Sequence, residues 1–285
     1  MTIKQTFWGM LITVMTLSTM PTSMWADSSF GGGSGTERDP YIIKTTDHMR
    51  QLSLDVNGGN NYSDKHFRLA NDLDFEGQEY NAIGGTIYTN QGDIRPFCGT
   101  FDGNGKIISN VTNLKIFNGS GVYVGLFAYV NAGGTVKNLT LGGNSNIAGR
   151  SMVGGIVGFL HWGGSVVNCH TEESVTIIPN DGGHSMFGGI VGVNVDGTIS
   201  NCTNRATVTR GDTWTYSLGG IVGSNNNGTI IDCWNYGQIL GTHYIGAIAG
   251  ENINGTVTNC YISAVVVLST ASECQNRRWV WSHLG

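Results

Sequence analysis

Gly154-Gly155-Ile156-Val157-Gly158 recurs as Gly188-Gly189-Ile190-Val191-Gly192 and Gly219-Gly220-Ile221-Val222-Gly223, then in relaxed form as Gly246-Ala247-Ile248-Ala249-Gly250. The starts lie 34, 31 and 27 residues apart, a spacing typical of stacked repeats. Each block is followed by a second strand-like block: Val166-Val167-Asn168-Cys169, Ile199-Ser200-Asn201-Cys202, Ile230-Ile231-Asp232-Cys233 and Val257-Thr258-Asn259-Cys260. A degenerate copy, Val124-Gly125-Leu126-Phe127 to Val136-Lys137-Asn138-Leu139, precedes them. Six residues after each cysteine stands another aliphatic residue, Val175, Val208, Ile239 or Val266. A unit of three short apolar segments separated by polar turns reads as one coil of a solenoid, which buries its apolar face only by stacking on its neighbours.

The Asn-Cys pair fixes the local geometry. Strict alternation would put Ile199 and Cys202 on opposite faces, yet both columns are mostly apolar. A one-residue corner resets the alternation, and Asn or Asp tolerates the left-handed conformation such a corner needs. Asn138, Asn168, Asn201, Asp232 and Asn259 are therefore expected at corners, stacked as an amide ladder. Leu139 holds the column of Cys169, Cys202, Cys233 and Cys260, which marks that column as buried and apolar, with free thiols. Its spacing is unlike the short pairs of a zinc site, and no metal or other cofactor is expected.

The composition agrees with a repeat scaffold: 44 glycines among 285 residues, 12% charged residues and a net charge of −5. Without a basic cluster, nucleic acid is not an expected partner. Lys4 and the apolar run from Phe7 to Leu17, followed by a polar segment to Ala26, have the layout of a secretory signal. The expected organisation is a signal peptide over 1–26, an N-terminal cap with irregular first coils over 27–110, regular coils over 111–268 and a non-repeat tail over 269–285. No membrane span is expected once the signal is cleaved. The missing repeat in the tail makes truncation of a longer array an expectation.

In the N-terminal half, Phe30 to Thr36 reads as flexible, and Asp39-Pro40-Tyr41-Ile42-Ile43 as a turn into a strand. Thr46 can cap a helix from Asp47 to about Val56, with Met49, Leu52 and Val56 at helical spacing. Such a helix would cover the open end of the stack. Phe67-Arg68-Leu69, Leu73-Asp74-Phe75 and Thr100-Phe101 read as strands. The predicted fold is all-β, a right-handed parallel β-helix with an N-terminal helical cap.

These residues resemble proteins carrying the GLUG motif, seen here as Gly155-Ile156-Val157-Gly158, Gly189-Ile190-Val191-Gly192 and Gly220-Ile221-Val222-Gly223. Gly33-Ser34-Gly35-Thr36 with Asp39-Pro40-Tyr41, and Phe97-Cys98-Gly99-Thr100-Phe101-Asp102-Gly103-Asn104-Gly105, look like segments found upstream in such proteins. The resemblance implies an exported or cell-surface bacterial protein; the motif also accompanies IgA-specific metallopeptidases and large adhesins. The H-E-x-x-H zinc motif of those peptidases is absent here, so the resemblance carries over no catalysis.

No catalytic site is expected. The seven histidines never fall three to five apart, so no helical metal pair exists. The enzymatic alternative, a carbohydrate-active β-helix lyase or hydrolase, would draw on Asp72, Asp74 and Asp102. The leading reading is a surface-display or adhesion module that binds glycan or a host or cell-surface protein through inter-repeat loops. The candidate ligand-binding residues are Trp162, Trp214, Tyr216, Trp234, Tyr236 and Tyr244, rigid aromatics that offer contact area at low entropic cost. A fragment of a larger surface protein or peptidase is a further alternative.

Overall fold

The computed structural model describes residues 29–87, 93–115, 122–180, 186–209, 217–241, 244–264 and 266–268. The signal-like segment and the tail from 269 lie outside these residues. The described chain is a parallel β-solenoid whose regular coils stack strand on strand into three five-stranded sheets and one larger sheet.

In the second coil the chain runs through Met152–Gly154, Val157–His161, Ser165–Val167, His170–Thr171 and Thr176–Pro179. Each strand pairs in parallel with its counterpart in the next coil, as Val166 with Ile199 and Ile177 with Val208. The core is a set of columns. Phe101, Val136, Val166, Ile199 and Ile230 form one, all fully buried. Each large aliphatic side chain so buried contributes roughly 1.5–3 kcal/mol against exposure.

Two expectations about the coil need correction. A coil holds five strand segments, not three, because the Asn corner divides the second block and the Gly-Gly-Ile-Val-Gly block straddles a turn: one strand ends at Gly188 and the next begins at Val191. The glycines let the two strands cross closely. A Cβ on Gly188 would collide with the Val191 carbonyl oxygen, and one on Gly192 would lie 2.6 Å from Val153 N in the coil below. Val175 is buried but stands in the column of Ala206, while Ile177 aligns with Val208. The extra Glu172-Glu173-Ser174 turn displaces it, held by Glu172 Oε2 accepting from Gly143 N at 3.0 Å.

The five corners hold, but among the described residues the amide ladder links only Asp102, Asn138 and Asn168, where Asn168 Oδ1 meets His170 Nε2 at 3.2 Å. Asn138, Asn168, Asn201, Asp232 and Asn259 all have φ between 50° and 54°. Asn168 Nδ2 donates to Asn138 Oδ1 at 2.8 Å, and Asn138 Nδ2 to Asp102 Oδ1 at 2.9 Å. One coil earlier the corner is wider, with Gly103, Asn104 and Gly105 opposite the single Asn138.

At the N-terminal end a helix spans Thr46–Asn57 and buries Met49, Leu52 and Val56. Its N-cap is Thr45, not Thr46: the Thr45 hydroxyl accepts from His48 N at 3.3 Å. The segment from Phe30 is not a loose linker. Gly31 N donates to Ile42 O and Ile42 N to Gly32 O, both at 2.8 Å. Phe30 is buried in a ring cluster with Tyr41, Tyr62 and Phe67. Among the described residues no helix is long and apolar enough to cross a membrane.

Candidate functional site

The residues with the most chemical character inside the coils are engaged by the backbone. Cys169, Cys202 and Cys233 are fully buried, and Cys260 is half-buried at the last coil. Each thiol turns back across its corner and donates to the carbonyl two residues earlier, at 3.4 Å for Cys169, 3.2 Å for Cys202, and 3.3 Å for Cys233 and Cys260. Cysteine thus combines a small apolar body with a weak donor for a carbonyl freed at the corner. Burial raises the Cys202 thiol well above its usual range, so it stays protonated and unreactive.

The three aspartates of the enzymatic alternative also serve turns. Asp72 Oδ1 accepts from Ile107 N at 2.9 Å, and Asp74 Oδ1 from Glu76 N and Asn110 Nδ2, both at 2.8 Å. The Asn110 amide, then the Glu76 N–H, hold the Asp74 carboxyl below its usual range. Asp102 accepts from Asn104 N and Asn138 Nδ2 and pairs with Arg68 at 3.5 Å.

Two further amide ladders were not anticipated. Asn194 Nδ2 donates to Asn225 Oδ1, and Asn225 Nδ2 to Asn252 Oδ1, each at 2.8 Å. Each of these asparagines also donates to the glycine carbonyl three residues on, closing its own corner at 3.1, 3.0 and 2.9 Å. In the other ladder Thr171 Oγ1 donates to Asn204 Oδ1 at 2.6 Å, and Asn204 Nδ2 to Asn235 Oδ1 at 2.8 Å. The recurring Asn-x-Asp/Asn-Gly-Thr at Asn194, Asn225 and Asn252 was the available signal.

Among the described residues the candidate aromatics Trp162, Trp234, Tyr236 and Tyr244 do not converge on one site. Trp162, 63% exposed, sits in the turn between Val157–His161 and Ser165–Val167. Trp234 lies on a strand rather than in a loop, directly after Cys233, and stacks on Tyr261 of the next coil at 5.8 Å and 11°. Tyr236, 43% exposed, lies under the Arg205 guanidinium at 4.4 Å. Tyr244, 56% exposed, leads into Ile245–Gly246 on another side of the coil. Trp214 and Tyr216 lie outside the described residues.

Around Trp162 and its neighbour His161 the structure gathers the rings of Phe159, Tyr123 and Tyr129, which sequence reading passed over. Trp162 stacks on His161 at 4.7 Å, His161 on Phe159 at 5.0 Å, and Phe159 on both Tyr123 and Tyr129 at 5.1 Å. Tyr129 and Phe159 are register partners in adjacent coils, and aligning the two coils would have paired them. The Tyr129 hydroxyl and His161 Nδ1 are 3.0 Å apart. Burial, then the nearby Tyr123 and Cys98, push Tyr129 up to about 12. Burial lowers the His161 imidazole, partly opposed by the Asp196 carboxylate.

Comparison with known proteins places this geometry in context. Residues 183–209 match the GLUG motif. Over 165 residues, 58% of the chain, the sequence is 32% identical to halomucin of Haloquadratum walsbyi. Over 121 residues, 42% of the chain, it is 36% identical to a protein described as a Gly-rich membrane protein of Evansella cellulosilytica. The chain spans only 2% and 13% of the length of these curated relatives. A crystal structure described as that of an immunoglobulin A1 protease from Bacteroides ovatus shares the fold, with a TM-score of 0.62. That match covers 86% of this chain and 83% of the other at 22% identity.

Proposed function

We propose that the protein is an exported, non-catalytic β-solenoid for surface display or adhesion, coiled in the right-handed sense and capped by the Thr46–Asn57 helix. It contacts glycan or protein through its turns and outward columns. The observation that carries this reading is the division of labour among side chains. Thiols, amides and carboxylates that could do chemistry are hydrogen-bonded to corners and turns, while the exposed aromatics crown a rigid scaffold. Loops and turns on such scaffolds are where binding resides. Right-handed crossover is the hand that strand twist favours for parallel connections. The likeness to proteins named halomucin and a Gly-rich membrane protein supports a surface location.

Fractionation and protease shaving of intact producing cells test the location. Protein in the envelope or medium and cleaved by added protease is the expected result; protein confined to the cytosol overturns the reading. Incubating the purified chain with polysaccharides and assaying new reducing ends tests the non-catalytic part. Turnover there would favour the carbohydrate-active alternative.

A further inference from the structure

We propose that Trp162, backed by His161, Phe159, Tyr123 and Tyr129, is a binding platform for an uncharged pyranose chain. The proposal rests on the display-and-adhesion reading and gives its ligand a chemical class.

The turn itself provides the first argument. Gly164 N donates to His161 O at 3.0 Å, closing a two-residue turn with φ of 42° at Trp162 and 75° at Gly163. Asn-Gly is the natural occupant of a turn with two positive φ values. The equivalent turn one coil earlier holds Ala132-Gly133, and the later corners hold Asp196, Asn227 and Asn254. A left-handed conformation costs an ordinary L-residue roughly 1–2 kcal/mol. A tryptophan 63% exposed recovers little of that by burial. A strained, exposed aromatic points to a role outside folding.

The ring is also preorganised. Trp162 N donates to Val195 O and Gly163 N to Asp196 O, both at 3.1 Å, fastening the turn to the next coil. The indole rests on His161 at 27°, His161 on Phe159 at 29°, and Phe159 on Tyr123 at 10°. A ligand would therefore meet a surface that loses little entropy on binding.

The chemistry selects the ligand. One indole face packs on His161, and the exposed remainder is a flat apolar surface suited to the C–H face of a sugar ring. The Tyr129 hydroxyl and His161 Nδ1, 3.0 Å apart, hold the imidazole in place under the indole. Asp196, whose backbone carbonyl accepts from Gly163 N at 3.1 Å, puts an acidic residue at the adjoining turn, and a carboxylate there disfavours uronic and sialic acids. A protein partner needs about 800 Å² per side, but the column of Tyr129 and Phe159 passes in register to Val193, Ser224 and Glu251, and Tyr129, Val193 and Ser224 are buried. The exposed apolar surface at this turn is thus Trp162 with the half-buried Phe159 and Tyr123, on the scale of a short saccharide.

The full chain is titrated by affinity electrophoresis and calorimetry against mannan, β-glucan, chitin oligosaccharides and desialylated mucin glycans, with polygalacturonate and sialylated mucin as anionic counterparts. Trp162→Asn installs the residue type of the later corners, and Phe159→Val that of the next coil. The expected result is binding to a neutral glycan that falls at least about tenfold in Trp162→Asn, the scale of one aromatic contact, with a denaturation midpoint equal to or above wild type. Equal binding by wild type and Trp162→Asn overturns the platform while leaving glycan adhesion standing. Failure to bind any neutral glycan, or preference for the anionic ones, overturns the platform even if cell shaving finds the protein on the surface.

Discussion

Replacing Asn225 by alanine tests whether the buried amide ladder, rather than the apolar columns alone, holds the later coils. Asn225 is fully buried, accepts from Asn194 Nδ2, and donates to Asn252 Oδ1 and Gly228 O. Truncation leaves one Asn194 hydrogen without an acceptor in the interior, which costs about 1–3 kcal/mol. The Gly228 carbonyl still accepts from Thr256 N at 2.9 Å, so its loss is only the corner closure, about 0.5–1.5 kcal/mol. Asn225→Ala should therefore cost about 1.5–4.5 kcal/mol, a large share of the roughly 5–15 kcal/mol of an ordinary domain. Asn252→Ala removes the exposed end of the same ladder, where water replaces the lost bonds, and should cost about 1 kcal/mol or less. Urea titration followed by tryptophan fluorescence measures both, and hydrogen exchange localises the change to residues 191–231, since solenoid coils depend mainly on their neighbours. A loss below about 0.5 kcal/mol for Asn225→Ala, or equal losses for the two variants, would refute the reasoning.

The crossing of strands at the glycine block predicts that Gly188→Ala costs about 3 kcal/mol or more, because its Cβ meets backbone of both Val191 and Val222. Gly163→Ala, with φ of 75° but open space, should cost only about 1–2 kcal/mol; thermal melts of the pair check the contrast. Cys169, Cys202 and Cys233 should resist a thiol reagent until denaturant is added, whereas Cys98 and Cys260 react slowly in the folded chain. Because burial raises the folded Cys202 thiol, its unfolded form ionises first. Stability should be fully present below about pH 8.5 and decline above it, and a Cys202→Val variant should show a weaker decline. Leu52→Ala, at a fully buried helix position, should cost about 2–5 kcal/mol and expose the amides of Phe67 and Leu69 to exchange before those of the central coils, if the helix caps the stack.

The regular coils were legible because their constraints are local and repeat. A left-handed corner asks for Asn and an inward column for aliphatics, so Asn201 and Ile199 announce their roles. The division of the glycine block into two strands was not legible, since a strand and a tight crossing both accept Gly-Ile-Val. Phe30 was misread because its glycine-rich surroundings suggest a linker, and only the distant rings of Tyr41, Tyr62 and Phe67 give it a place. The candidate site was legible only in part. Single exposed aromatics such as Trp162 stand out by type, but Tyr123, Tyr129 and Phe159 become its neighbours through stacking across coils and sides that the linear order hides.

The position of Trp162 also follows from the interior. In the coils where Asn194, Asn225 or Asn252 occupies the inward column, its amide closes the corner, and a single left-handed residue before the glycine suffices. Leu160 stands in that column one coil earlier, in register with Asn194, and has no amide to offer. The chain there takes one residue more, Trp162-Gly163-Gly164 against Asp196-Gly197, and closes the turn through its own backbone. Val130 and the Ala132-Gly133-Gly134 turn repeat this arrangement below. The longer turn is thus a consequence of an apolar interior, but the tryptophan is not, because alanine fills the same place one coil away. What the solenoid requires at this point is a positive φ, and what it presents there instead of Asn or Gly is an aromatic ring.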